Sequence, residues 1–175
     1  MSTTHNFERS LAYSHDHADA PWWTLVYQAA FGQLLSCVSV RKDGWAQRSG
    51  IDRIVITEHG RRITVDEKVR SADWPDFLLE RFSDEGRRTA GWIQKPLDCD
   101  FIAYAFVPSE TCYLLPTITL QRAWQLHGRE WVKVYPEKRA YNEDRGRSWV
   151  TLSTAVPRDV LLLAMTDAMT ICWGK

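Results

Sequence analysis

The stretch GIDRIVITEHGRRITVDEKVR, residues 50–70, decides the fold that this sequence predicts. Two runs rich in β-branched residues, 51–57 and 62–69, flank the turn sequence EHGR. This arrangement is typical of a β-hairpin with a short loop in which glycine takes a left-handed conformation. With a loop of three residues, Thr57 faces Arg61, so the numbers of opposed residues sum to 118.

The same register places Asp52 directly opposite Asp66 on one face of the hairpin. Cβ atoms of opposed residues lie about 4.5–5.5 Å apart, so two like charges there repel. A bridging divalent cation is the simplest explanation, because hard cations such as Mg²⁺ choose carboxylate oxygens. Lys68 points to the same face and Glu67 to the opposite one, since side chains alternate along a strand.

Two acids and a lysine on neighbouring strands suit hydrolysis of a phosphodiester. A cation held by the acids polarises a phosphoryl oxygen and activates water. The ammonium of Lys68 can orient that water or stabilise negative charge in the transition state. An ordinary charged strand end would contain the same residues, and the hairpin pattern leaves that alternative open.

Outside the hairpin, the pattern of apolar residues predicts alternating helices and strands. It predicts helices at residues 22–38, 76–82, 117–127 and 157–169, and strands at 101–107, 111–115 and 149–156. It predicts a loop at 42–50 and a loop or irregular strand at 129–148. This order predicts an α/β protein, more closely an α+β mixed sheet flanked by helices. We expect a flexible N-terminal arm over residues 1–20 and one domain over residues 21–175.

Composition excludes several classes of protein. Lys and Arg number 22 and Asp and Glu number 22, so the net charge of zero argues against a protein that coats nucleic acid by bulk charge. No apolar run is long enough to cross a membrane. Residues 1–10 contain no apolar segment, so we expect no secretory signal. The four cysteines form no C-x-x-C pair, so we expect reduced thiols and a cytoplasmic location.

The spacing of the acids and the lysine resembles the D…(D/E)-x-K signature of the PD-(D/E)XK nuclease superfamily. Here Asp52 is followed, after thirteen residues, by Asp66-Glu67-Lys68. The likeness covers roughly residues 22–165 and is greatest to small phage-type and prophage-type members, which resemble this chain also around Gly91-Trp92-Ile93 and residues 156–161. The resemblance implies a restriction-endonuclease-like αβββαβ core with C-terminal additions.

The resemblance also implies roles for residues of the hairpin. Asp52 and Asp66 match the two metal-binding carboxylates, and Glu67 matches the variable position whose backbone carbonyl often contributes to the metal. Lys68 matches the catalytic lysine. The implied cofactor is Mg²⁺ or Mn²⁺.

One feature of the family is missing from this chain. Many members place a glutamate on the first helix as a further metal ligand, whereas residues 22–38 contain no acid. Gln28 and Gln33 are the residues that could stand in for it, and Gln47 could line the site or touch substrate. The departure puts metal affinity in doubt.

Basic residues predict contacts with phosphate. Residues 41–70 hold more basic than acidic side chains, and we assign nucleic-acid contacts to Arg48, Arg53, Arg62 and Arg70. In residues 129–147 basic side chains alternate with aromatic ones, which suits either a nucleic-acid groove or a solvated charged loop.

The sequence therefore predicts a Mg²⁺-dependent nuclease, an endonuclease acting on DNA that includes branched or flapped forms. A homodimer is compatible with this prediction, because cutting a duplex needs two active sites. The alternatives are a catalytically degenerate nuclease fold that binds DNA or a protein, and an interaction protein that uses exposed members of its nine tryptophans.

Overall fold

The structure, a computed structural model, describes residues 5–6, 17, 19–144 and 146–174, with the backbone alone described at residues 5, 6, 47, 48 and 144. Most of the predicted N-terminal arm therefore lies outside the described residues. The elements follow in the order β1 (His5–Asn6), α1 (Trp22–Phe31), β2 (Leu34–Ser39), α2 (Gly44–Ser49), β3 (Arg53–Thr57), β4 (Arg62–Arg70), β5 (Asp76–Asp84), β6 (Thr89–Ala90), β7 (Phe101–Phe106), β8 (Thr111–Pro116), α3 (Thr117–Val134), β9 (Glu137–Asp144), β10 (Arg147–Pro157), α4 (Arg158–Leu163) and β11 (Met169–Cys172).

The chain forms two compact units, a division that the sequence did not predict. The meander unit comprises Ala12–Asp73, Leu97–Thr119 and Asp167–Lys175, and the second unit comprises Met1–Leu11, Trp74–Pro96 and Leu120–Thr166. Each unit has its own sheet. The order is β11-β8-β7-β4-β3-β2 in the meander unit and β1-β9-β10-β5-β6 in the second unit.

The predicted hairpin and its register are confirmed. The β3–β4 pairs run from Arg53 opposite Val65 to Ile56 opposite Arg62, so their numbers sum to 118. The turn closes with a hydrogen bond from the Thr57 amide to the carbonyl of Arg61 at 3.0 Å. Gly60 has a φ of 77°, the left-handed conformation that this loop requires. Beyond the hairpin, β4 pairs with β7 in parallel, which makes the sheet mixed.

Helix α1 covers one face of this sheet. Its buried residues Trp23, Val26 and Tyr27 pack with Val55, Ile63 and other apolar side chains of the strands to form the core of the meander unit. Burying this apolar surface is the main favourable term for the unit, at about 25 cal/mol for each Å² removed from water.

The predicted helix over residues 22–38 is only half right. Helix α1 ends at Phe31, and Gly32 follows with a φ of 83° while its amide hydrogen-bonds the carbonyl of Gln28. Leu34–Ser39 then forms strand β2 on the open edge of β3. Apolar residues at 34, 35 and 38 continue the helical spacing, so the pattern alone concealed the change. The backbone hydrogen bonds of β3 decide the outcome.

The predicted helix at residues 76–82 is wrong. Asp76–Asp84 is strand β5, which pairs with β10 in the second unit. Phe77 and Leu79 are both fully buried, a spacing of two that fits a strand. The second helix of the expected αβββαβ order is thus not at its predicted place.

The C-terminal half contains two further corrections. Helix α3 passes through Gly128 and ends at Val134, beyond the predicted end near residue 127. Of the loop or irregular strand predicted over residues 129–148, the strand is present as β9, Glu137–Asp144. The last predicted helix is short, because α4 ends at Leu163 and the chain returns as strand β11.

One correction lies in the N-terminal half. Residues 44–49, predicted as loop, form the short helix α2.

The predicted strands at 101–107, 111–115 and 149–156 are confirmed as β7, β8 and β10. The mixed α/β class is therefore confirmed. No helix in the described part of the chain is both long and apolar enough to cross a bilayer.

Candidate active site

The two predicted acids lie side by side. Asp52 precedes β3, and its amide hydrogen-bonds the carbonyl of Val65 at 2.8 Å, which extends the hairpin ladder by one residue. Asp66 follows on β4 with a buried side chain that is only 6% exposed. Asp52 is one of the groups that raise the pKa of Asp66, so the two carboxyl groups lie close together.

Burial makes Asp66 an unusual carboxyl group. The pKa of Asp66 is raised to about 6, and desolvation by burial is the largest cause. The ammonium of Lys68 opposes this rise, and the charge of Asp52 contributes to it. The buried thiol of Cys99 also lies beside Asp66, and burial raises the pKa of Cys99 to about 11, so it remains neutral. These surroundings favour a cation or a proton at Asp66.

Lys68 supplies the nearest positive charge. Its Nζ lies 2.6 Å from Oδ1 and 2.8 Å from Oδ2 of Asp66. Its side chain is 30% exposed, so the ammonium sits at the boundary between the buried acid and solvent. Lys68 and Tyr104 are neighbours on adjacent strands, and Arg70, two residues further along β4, donates from Nη1 to the hydroxyl of Tyr104 at 2.9 Å.

Glu67 points away from this pair, as the alternation of side chains predicts. Its carboxylate is fully buried against α1 and accepts hydrogen bonds from the Tyr27 hydroxyl at 2.8 Å and from Nε of Arg53 at 2.5 Å. Arg41 donates to its second oxygen at 3.0 Å. The side chain of Glu67 is thus committed to a buried network, and only its backbone remains as the predicted contribution to a metal.

The network also holds Asp52. Nη2 of Arg41 lies 3.4 Å from Oδ2 of Asp52, the same oxygen that accepts the Glu67 amide at 2.8 Å. Arg41 therefore bridges the two carboxylates. Sequence reasoning missed both Arg41 and Tyr27 as site residues. The confirmed register did contain one usable signal, because Arg53 and Glu67 fall on the same face of the hairpin.

The remaining predicted residues are dispersed. Arg53 is buried in its ion pair with Glu67, which corrects its assignment as a phosphate contact. Gln28 is exposed on α1, and Gln33 lies at the turn end of the meander, where its carbonyl accepts the amide of Glu58. Arg62 is exposed at the start of β4. The side chains of Gln47 and Arg48 lie outside the described residues.

The arrangement fits a hard cation with few protein ligands. Asp52 and Asp66 would hold it, and Mg²⁺ commonly takes one or two carboxylates while keeping several waters. The described residues contain no cluster of three or more His, Cys, Asp or Glu side chains, which a structural zinc site would need. Buried Asp66, whose pKa is raised, and partly exposed Asp52 are the carboxylates that would hold Mg²⁺ or Mn²⁺.

The raised pKa of Asp66 predicts a pH effect on stability. Between the ordinary value of 3.8 and about 6, the folded state binds more protons than the unfolded state, so stability falls as pH rises through this interval. We expect a loss of about 3 kcal/mol in EDTA, measured by urea denaturation at a series of pH values. Asp66→Asn should remove the difference, and a variant with the wild-type pH profile would contradict the assignment.

Comparisons of this chain with protein-family models, with curated proteins and with solved structures found no match.

Proposed function

We propose that this protein is a metal-dependent nuclease that hydrolyses phosphodiester bonds in DNA. The observation that carries the proposal is the buried carboxylate of Asp66 with Nζ of Lys68 at 2.6 Å, next to Asp52 where it extends the hairpin ladder. Two carboxylates can hold a cation that activates water and phosphate, and an ammonium can stabilise the developing charge. The proposal includes membership of the PD-(D/E)XK superfamily. It also includes a restriction-endonuclease-like core and a phage-type origin.

Asp52 and Asp66 would hold the cation, and Arg41 with the Glu67 amide fixes the orientation of Asp52. A bound Mg²⁺ or Mn²⁺ would supply Lewis-acid activation of the phosphate and of water. Lys68 then turns from Asp66 towards the attacking water or the scissile phosphate, whose developing negative charge it stabilises. Arg70 lies on the same strand face as Lys68, so it is the predicted basic residue best placed to hold a neighbouring phosphate.

The substrate and assembly are part of the proposal. We propose that the protein cleaves branched or flapped DNA as an endonuclease. The sequence prediction also includes a homodimer and a cytoplasmic location. Of the assigned phosphate contacts, Arg62 and Arg70 remain candidates among the residues whose side chains are described, because Arg53 is buried.

A catalytically degenerate binding module is the second candidate. It is favoured by the two short bonds from Lys68 to both oxygens of Asp66, which occupy the carboxylate edge that a cation would use. The absence of any acid from α1 favours it as well. In that case Lys68 replaces the cation as the permanent counter-charge of Asp66.

Asp66→Asn distinguishes the two candidates. We expect purified wild-type protein to nick plasmid and to cut branched or flapped DNA in Mg²⁺ or Mn²⁺, and the variant to be inactive because it cannot hold the cation. Calorimetric titration with Mn²⁺ should give heat with the wild type and none with the variant. Asp73→Asn, which changes an exposed acid of the same unit, is the matched control and should keep both properties.

Two results would contradict the nuclease proposal. One is equal Mn²⁺ heat in wild type and Asp66→Asn, or no heat in either. The other is a lack of cleavage by pure wild type on all of these substrates, which would favour the degenerate binding module.

A further inference from the structure

The second unit contains a groove whose walls are rich in basic residues. Its volume is about 810 Å³, and it lies between helix α3 and residues 81–96. Gln121 on the helix donates from Nε2 to the carbonyl of Lys95 at 2.9 Å, which ties the two walls together. Both walls belong to the second unit, so the groove is separate from the residues of the proposed nuclease site.

The charge of the groove is positive. Arg81, Lys95, Arg129 and Lys133 line it, and no Asp or Glu is among its lining residues. Two of these cations have acidic partners: Arg81 is hydrogen-bonded to Glu137, and Lys133 lies 4.0 Å from Glu130. Lys95 and Arg129, by contrast, form no ion pair with any residue that the structure describes, and both are exposed. The groove therefore presents uncompensated positive charge to a ligand.

Arg81 adds an unsatisfied donor. Its side chain is 11% exposed, and its Nε atom is buried with no hydrogen-bond partner among the described residues. Buried polar groups of this kind are rare unless a ligand or water completes them. Because this atom is closed to solvent, a ligand in the groove would meet the charge of Arg81 and not its Nε donor.

An aromatic surface lies beside the cations. Trp124 is half-buried in the groove wall, and Gly128 sits one helical turn further along α3. A Cβ atom at Gly128 would be 2.8 Å from Cδ2 of Trp124, so only glycine allows the indole to lie against the helix backbone there. Glycine within a helix costs about 1 kcal/mol of stability relative to alanine. The close approach of the Trp124 indole is the physical reason for glycine at residue 128. Phe82 is a second ring in the wall, with the guanidinium of Arg81 5.9 Å from its centre.

We propose that this groove binds single-stranded DNA, with phosphates on Lys95 and Arg129 and a base stacked on Trp124. Cations beside aromatic rings are the common means of holding single strands, because phosphates meet charge and unpaired bases expose their faces. A duplex would meet the same cations but keeps its base faces stacked. An acidic peptide would meet the cations and leave the rings unused.

The experiment is anisotropy of a labelled oligothymidylate in EDTA, with the full-length protein carrying Asp66→Asn. Metal chemistry is absent under these conditions, so failure of the groove and failure of the nuclease proposal are distinguishable. The groove variant is Lys95→Glu with Arg129→Glu. Its matched control is Arg122→Glu with Lys138→Glu, which makes the same charge change at exposed positions of the second unit outside the groove lining.

We expect the groove variant to weaken binding about tenfold or more and the control variant to weaken it less than about threefold. The slope of log affinity against log salt should fall by about 1.4 in the groove variant, because single strands release about 0.7 counterions for each phosphate neutralised. Trp124→Leu should weaken binding about fivefold or more, the lower end of the loss expected for one stacked base. Unchanged thermal melting of each variant shows that the loss arises from the groove and not from unfolding.

Four outcomes would overturn the assignment. Equal losses in the groove and control variants would show binding by general charge. Equal affinity for a duplex of the same length would remove the role of stacking. Displacement by polyglutamate at equal charge would favour an acidic protein partner. Displacement by free thymidine monophosphate at the same nucleotide concentration would show a mononucleotide pocket.

Discussion

Lys68→Ala should lower the rate of DNA cleavage by on the order of 100-fold or more while leaving DNA affinity nearly unchanged. The reason is that Nζ of Lys68 lies at the solvent boundary beside Asp66, where it can reach the scissile phosphate or the attacking water. A group that acts only in the transition state affects turnover and not ground-state binding. Single-turnover cleavage in Mg²⁺ measures the rate, and anisotropy in Ca²⁺ measures the affinity.

Two controls make this prediction specific. Lys42→Ala removes an exposed lysine of the same unit and should leave the rate within about twofold of wild type. Lys68→Arg keeps the positive charge and should retain more activity than Lys68→Ala. If Lys68 is only the permanent counter-charge of Asp66, Lys68→Ala would instead lose stability, Lys68→Arg would largely keep it, and the wild type would show no cleavage to lose.

Glu67→Ala should destabilise the protein by about 3–5 kcal/mol, the cost of leaving a buried partner charge uncompensated. Burial lowers the pKa of Arg53, and the charge and hydrogen bond of Glu67, with smaller contributions, together raise it above its ordinary value. A guanidinium is not deprotonated in proteins, so Arg53 stays charged when Glu67 is removed. The hydroxyl of Tyr27 also loses its acceptor, and its pKa is raised by burial first and by Glu67 second. Urea denaturation at neutral pH measures the loss.

The matched control is Glu58→Ala. The side chain of Glu58 is 43% exposed and its nearest basic partner, His59, is 4.0 Å away, so this change should cost less than about 1 kcal/mol. Replacing Glu67 and Arg53 together by Leu should cost less than the sum of the two single changes, because the double variant leaves no unpaired charge from this pair. An effect of Glu67→Ala as small as that of Glu58→Ala would show that the buried network around Glu67 does not stabilise the fold.

The hairpin shows what local sequence can determine. The turn EHGR admits one short loop, and its glycine takes the left-handed conformation, so the register of β3 against β4 follows from chemistry within a few residues. That register, together with the alternation of side chains, predicted that Asp52 and Asp66 share a face and that Glu67 points to the other one. All three placements depend on contacts between residues close in sequence.

The elements that the sequence misassigned depend on distant partners. Residues 34–39 and 76–84 have apolar spacings that suit a helix as well as a strand, and the choice was made by the open edge of β3 in one case and by β10 in the other. Backbone groups of a strand need a neighbour to satisfy them, and the neighbour cannot be read from the segment itself. The same limit explains Gly128, which packs against Trp124 and does not end α3.

For the candidate site, the sequence by itself determined the two acids, the lysine and the face on which they meet. Only the tertiary structure decided their environment: that Asp66 is buried enough to raise its pKa to about 6, and that Arg41 from the loop after β2 bridges Asp52 and Glu67. It also decided that Arg53 is buried against Glu67 and unable to contact phosphate. The physical reason is that spacing along a strand sets direction, whereas burial and charge pairing depend on every element packed around the strand.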